Sequence, residues 1–155
     1  MSNNTYKNQD VVWTFRVKSA WYGSECVRVI EIKSDASFVD LHNAIQAAVD
    51  FDNDHLFEFY IGRNSGSRVY AIGGEPNWDT FNPMKTYQTI SLSEVWPIPK
   101  GMTLYYLFDF GDNWLFKIIK TRHKDKSPTP GVIYPRIIEV KGKNPEQYPD
   151  YEEWD

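Results

Sequence analysis

Apolar and polar positions alternate from Val11 to Ala20, with Trp13, Phe15 and Val17 on one side and Thr14, Arg16 and Lys18 on the other. This predicts a half-buried strand. A turn around Gly23 and a Val- and Ile-rich return from Cys26 to Lys33 complete an N-terminal hairpin. The period then becomes helical: Phe38, Leu41, Ile45, Ala48 and Val49 share one face, and Asp40, Asn43, Gln46 and Asp50 the other. Ser37 and Asp40 have the spacing of a capping box, and Asp52-Asn53-Asp54 ends the helix. Alternation returns from Leu56 to Ile61 and, briefly, from Arg68 to Ile72. Between Gly73 and Ile90 the pattern fails, which marks a long loop carrying Trp78, Phe81 and Tyr87. Ser91 to Trp96 fits one helical turn, and Val132 to Val140 is strand-like with Pro135 marking an edge or a bulge. The predicted fold class is therefore α+β, a single domain with a largely antiparallel sheet packed against one main helix. Its strand-strand-helix-strand opening follows the order of a β-grasp. The domain is expected over 11–143, after a disordered start at 1–10 and before an acidic, aromatic tail at 144–155.

The longest apolar pattern is Leu104 to Ile119, broken only by Gly111-Asp112-Asn113. A three-residue hairpin loop at 111–113 places Phe110 opposite Trp114, Phe108 opposite Phe116 and Tyr106 opposite Ile118, with Asn113 the left-handed residue. Each such pair contributes about 0.2–1 kcal/mol relative to Ala–Ala. In this register Asp109 lies on the other face, opposite Leu115 and diagonal to Lys117, and Asp112 caps its own turn.

Composition narrows the class. A chain of 155 residues with 41% hydrophobic residues buries enough surface for an ordered core. Nine Phe, six Trp and ten Tyr, spread along the length, favour a sheet-rich fold. The single Cys26 forms no internal disulfide, the start lacks an apolar signal pattern, and no apolar run is long enough to span a bilayer. Cytosolic residence is expected. The net charge of −4 is unevenly placed: Lys117, Lys120, Arg122, Lys124, Lys126, Arg136, Lys141 and Lys143 face only Asp125 and Glu139 between 115 and 143. The tail beyond is acidic, and it is expected to lie near the basic segment and screen it.

Leu41-His42 with Ile45, then Asp54-His55-Leu56 with Phe59, and later Tyr106, Asp109-Phe110-Gly111-Asp112 and Trp114 together resemble the Ri-plasmid ORF-three-like family. Tyr134-Pro135-Arg136, Pro145-Glu146 and Tyr151-Glu152-Glu153 are similar to its closing segment. The resemblance implies kinship with plasmid- or transposon-associated proteins and their free-standing relatives, and it carries over no catalytic residue. Two departures stand out. Phe116 occupies the place where the family usually has His, and Gln147-Tyr148-Pro149 lacks the family's Cys and Gly pairs.

Candidate chemistry is thin. His42, His55 and His123 lack zinc-ligand spacing, so no metal and no cofactor is expected. Cys26 in an apolar strand reads as a small hydrophobe, and no nucleophile elbow or phosphate cradle occurs. No catalytic residue is assigned. The expected function is a non-enzymatic binding or adaptor protein with a protein partner, and His42, His55, Asp109, Asp112 and Trp114 are the candidate binding residues. The alternative is a nucleic-acid-associated accessory protein using Lys117, Lys120, Arg122, Lys124 and Lys126, opposed by a pI of about 5.4. An enzyme built on Asp109, His42 and His55 stands third.

Overall fold

The alternating runs form the strands they predict in the computed structural model, which describes residues 11–21, 25–72 and 87–147. In chain order these are β1 (Val12–Ser19), β2 (Val27–Lys33), β3 (Phe57–Gly62), β4 (Tyr70–Ile72), β5 (Thr103–Phe108), β6 (Trp114–Lys120) and β7 (Arg136–Lys141). The helix α1 (Phe38–Val49) joins β2 to β3, and Leu92–Glu94 is one 3-10 turn. A single sheet runs β4-β3-β5-β6-β1-β2-β7, and every pairing in it is antiparallel. The opening order β1-β2-α1-β3 is present, but β5 and β6 stand between β1 and β3, so likeness to a β-grasp is confined to element order.

The capping box sets the start of α1. Ser37 Oγ accepts from the Asp40 N–H at 3.1 Å, and Asp40 Oδ2 accepts from the Ser37 N–H at 2.9 Å. Phe38, Leu41, Ile45 and Val49 then bury completely against Phe15, Ile30, Phe59, Tyr106 and Phe108 of the sheet. Burial of each such side chain stabilises the fold by about 1.5–3 kcal/mol. At the helix C-terminus Arg28 of β2, 1% exposed, donates Nε–H to Ala48 O at 2.9 Å. The same guanidinium reaches Val27 O, Lys141 O and Asn144 Oδ1, so it ties α1, β2 and the β7 end together. Its positive charge also suits the negative end of the helix dipole. Gln46, placed by pattern on the polar face, is instead 3% exposed and turned inward. A buried hydroxyl needs a partner there, and that overrides the helical period.

The central hairpin departs from its expected register by two residues. Phe108 faces Trp114, Tyr106 faces Phe116 and Leu104 faces Ile118, so the loop is 109–113 rather than 111–113. A shift of two preserves the face of every side chain, which is why the aromatic face survives. Phe110 leaves the ladder and is 49% exposed. Asp109 is not opposite Leu115, whose partner is Leu107, and Tyr105 faces Lys117. The cause is local: Asp109 adopts φ 64 and ends β5 before the aromatic run is exhausted. Asn113 is left-handed as expected, with φ 57.

β7 is an edge strand whose pairing with β2 shifts at a bulge between Val29 and Ile30, as Pro135 suggested. It begins at Arg136, later than the pattern alone indicated. It leaves through Gly142, whose φ is 83 and where a Cβ would stand 1.9 Å from Glu25 O, so a side chain there is excluded. The sheet face away from α1 carries a small cluster of Tyr60, Tyr105 and Leu107, with Leu115 packed against it. Glu31, 3% exposed, pairs there with Arg136 and Lys126. Burial works to raise its pKa, but hydrogen bonds from those two cations outweigh that and hold it below the ordinary carboxylate value. Among the described residues no helix is long and apolar enough to cross a membrane. The expectations for 1–10, for 148–155 and for Trp78 and Phe81 lie outside the described residues.

Candidate functional site

His42 sits on the inner turn of α1, and its ring stacks on Phe57 with centroids 3.6 Å apart. Its Nε2 donates to Asn53 Oδ1 at 2.6 Å, which makes Nδ1 the acceptor for the Tyr106 hydroxyl, also at 2.6 Å. Gln46 Nε2 donates to the same hydroxyl at 2.9 Å, and Gln46 Oε1 accepts from the Asn53 N–H at 3.0 Å. Four residues thus close a ring of hydrogen bonds. Burial lowers the His42 pKa, partly offset by the bond to Asn53, so the imidazole is held neutral. Burial also pushes the Tyr106 hydroxyl far above its ordinary pKa. With both ring nitrogens engaged, His42 has no spare valence for proton transfer or for a metal.

Asp109 organises the other half of the region. Its N–H donates to Leu56 O at 2.9 Å, and its Oδ1 accepts from the Gly111 and Asp112 N–H groups at 3.1 and 3.3 Å. Its carbonyl closes the loop by accepting from the Asn113 N–H at 2.6 Å. The turn is therefore capped by Asp109, not by the Asp112 carboxylate that the sequence suggested, because only Asp109 precedes the free N–H groups. Asp109 Oδ2 lies 3.5 Å from His55 Nε2, and Asp54 Oδ1 is 3.5 Å from the same nitrogen. Gln147 completes the brace by accepting from the Asp52 N–H at 2.7 Å and donating to Asp54 Oδ1 at 3.0 Å. Trp114 packs edge-on against Trp21 and tilted against Phe51, with centroids 5.2 and 5.4 Å away.

The candidate binding residues therefore fall into two groups. His55, Asp109 and Asp112 meet at the tip of the hairpin, while His42 is bonded to Tyr106 and Asn53; the Phe108 ring centroid is 6.2 Å from His42 and 5.9 Å from His55. Among the described residues no group of His, Cys, Asp and Glu could hold a metal ion. The basic segment does not form one surface. Lys120 pairs with Asp125 and covers the Trp13 ring on the α1 face, whereas Lys117 stands beside Tyr105 on the face away from α1, where Lys126 is taken up by Glu31. Arg122 and Lys124 lie in the exposed loop.

A family model described as plasmid pRiA4b ORF-3-like protein matches residues 12–150. The chain belongs to that family. The crystal structure of MM3350, a protein of unknown function from Methanosarcina mazei Go1, is similar with a TM-score of 0.68 and 27% sequence identity. The match covers 86% of this chain and 71% of that one. No curated protein matches the chain.

Within this pRiA4b ORF-3-like chain, the Asp-Phe-Gly-Asp-x-Trp motif has a readable division of labour. Asp109 holds the turn, Gly111 offers its N–H, and Trp114 packs into the core. Phe110 stands out of the ladder and is 49% exposed, and Leu56, whose carbonyl accepts from the Asp109 N–H, is 73% exposed. Phe116, where the resemblance leads one to expect His, is 1% exposed against Tyr106 and Trp21. Sequence reasoning missed Gln46, Asn53 and Gln147. Only Asn53 carried a signal, since a left-handed Asn (φ 56) is a common way to leave a helix and re-enter a strand.

Proposed function

We propose that the protein is a non-enzymatic binding module, resident in the cytosol, whose contact surface is the tip formed by residues 50–56 and 109–113. The observation that carries this reading is the pair of exposed apolar side chains, Leu56 and Phe110, on a backbone held by the Asp109 N–H bond to Leu56 O. A fixed, exposed aromatic ring binds at low ordering cost. The two segments contain Asp50, Asp52, Asp54, Asp109 and Asp112 and no Lys or Arg. The partner that complements this surface is a protein segment with an apolar residue flanked by basic ones. The saturated bonding of His42 supports binding over catalysis. Selection of a random peptide library on the immobilised chain tests the proposal. Enriched peptides should be basic and apolar, should weaken with salt, and should lose binding to Phe110→Ser/Leu56→Ser while the urea midpoint of that variant is unchanged. Acidic winners, or binding that survives the double substitution, would refute it.

A second reading rests on β7, where Ile133, Ile137, Ile138 and Val140 are all exposed at or beside the strand, 86, 42, 48 and 62% respectively. An extended peptide adding to this edge is the matching mode. The bulge interrupts the pairing frame, which favours a short added strand over a second copy of β7. Peptides that lose binding to Ile137→Lys but not to Phe110→Ser would select this reading over the first.

A further inference from the structure

The sheet face opposite α1 holds a feature that the proposed binding tip does not use. Lys18 of β1 and Lys117 of β6 are direct cross-strand neighbours. Like charges so placed repel one another and are normally relieved by a carboxylate. Neither lysine has an ion pair among the described residues. Of the acids on or beside this face, Glu25 pairs with Lys141, Glu31 with Lys126 and Arg136, and Glu58 with Arg68. Between the two lysines and the β3–β4 turn lies a cavity of about 420 Å³ lined by Lys18, Lys117, Tyr105, Asn64, Ser65 and Trp21. No carboxylate lines it.

The remaining lining groups are hydrogen-bond donors on a fixed frame. Tyr105 stacks on Tyr60 with centroids 5.3 Å apart, and the Tyr60 hydroxyl donates to Ser65 O at 2.7 Å, which pins the turn to the sheet. Asn64 Oδ1 accepts from the Gly66 N–H at 3.0 Å, so the Asn64 amide N–H₂ remains available. The Tyr105 and Ser65 hydroxyls make no hydrogen bond among the described residues. Two ammonium groups, an amide and two hydroxyls thus surround one concave volume that has no anion of its own.

We propose that this cavity binds a small phosphate-bearing molecule, with Lys18 and Lys117 meeting the phosphate charge and the Tyr105 hydroxyl and Asn64 amide donating to its oxygens. The volume exceeds that of inorganic phosphate and leaves room for an organic remainder. A nucleic-acid strand is disfavoured. Tyr60 and Tyr105 are 1 and 3% exposed and offer no stacking face, and Lys120 and Lys126 are spent on Asp125 and Glu31.

Titration of inorganic phosphate and phenyl phosphate into the ¹⁵N-labelled full chain, followed by NMR, tests this. Amide shifts should cluster at Lys18, Asn64, Ser65 and Lys117, and phenyl phosphate should bind about tenfold more tightly than inorganic phosphate. Lys18→Met and Lys117→Met should each weaken phosphate at least fivefold and, by removing the repulsion, leave the urea midpoint unchanged or raised. Lys117→Arg should retain binding. Shifts that are scattered over the surface, that persist in the Lys18→Met/Lys117→Met double variant, or that are matched by chloride at equal ionic strength would overturn the proposal.

Discussion

Removing the Tyr106 hydroxyl is the sharpest way to probe the ring of hydrogen bonds beneath the hairpin tip. In Tyr106→Phe the ring stays in place against Phe59 and Phe116, so the packing loss is small. What disappears is the donor to His42 Nδ1 and the acceptor for Gln46 Nε2, both in the buried interior. Each orphaned group costs about 1–3 kcal/mol in unrecovered desolvation, against which the deleted hydroxyl no longer has to be desolvated itself. The net expectation is a loss of about 2–4 kcal/mol from a total that for such domains is about 5–15 kcal/mol. With a urea slope of about 2 kcal/mol/M the midpoint falls by about 1–2 M. If the ring is a connected unit, Tyr106→Phe combined with Gln46→Leu loses clearly less than the sum of the two single changes, because the second removes a group the first had already orphaned. A loss below about 0.5 kcal/mol, or strict additivity, would show that the ring does not act as a unit.

Three further changes test other joints. Because burial lowers the His42 pKa, the folded state resists the proton that the unfolded chain accepts near pH 6.5; stability is full above that pH and falls as pH drops below it. Urea titrations at pH 7.5 and 5.5 should show this loss, and His42→Gln should reduce it. Arg28→Lys leaves one ammonium to serve acceptors on α1, β2, β7 and Asn144, so a loss of about 2–4 kcal/mol is expected in the same assay, and a loss below about 1 kcal/mol would count against Arg28 as the joint. Asp109→Ala removes the turn acceptor and forces Ala to φ 64, costing about 2–3 kcal/mol; Asp109→Gly should recover the conformational share of about 1 kcal/mol, and equal losses would refute the split.

Most of the strands were legible because alternation is a direct record of one buried face, and α1 was legible from its period and its Ser37–Asp40 cap. The hairpin register was not. Matching ring to ring favoured a three-residue loop, since cross-strand aromatic pairs stabilise a ladder. The left-handed Asp109, with three hydrogen bonds closing on its carboxylate and carbonyl, ends β5 two residues early, and because Phe108 takes the place of Phe110 opposite Trp114 the ladder keeps two ring-to-ring pairs and loses only Phe110. Gln46 and Arg28 were illegible for a related reason. A polar residue turned inward looks the same in sequence as one turned outward, and only its partner, Tyr106 or the α1 terminus, reveals the difference. Lys18 and Lys117 likewise become neighbours only through a pairing of strands far apart in the chain.

The motif that announces the family divides on energetic grounds. Asp109, Gly111 and Trp114 are each consumed by contacts inside the molecule, so their presence is explained once the fold is explained. Phe110 is not. An aromatic ring half exposed on a rigid turn returns little burial energy to the fold and adds an apolar patch to the surface. Stability and recognition should therefore separate within four residues. Phe110→Ser should leave the urea midpoint within about 0.5 kcal/mol of the parent, as surface changes do, while Asp109→Ala lowers it. If Phe110→Ser were as destabilising as Asp109→Ala, the ring would belong to the scaffold, and the case for the tip as a contact surface would fall with it.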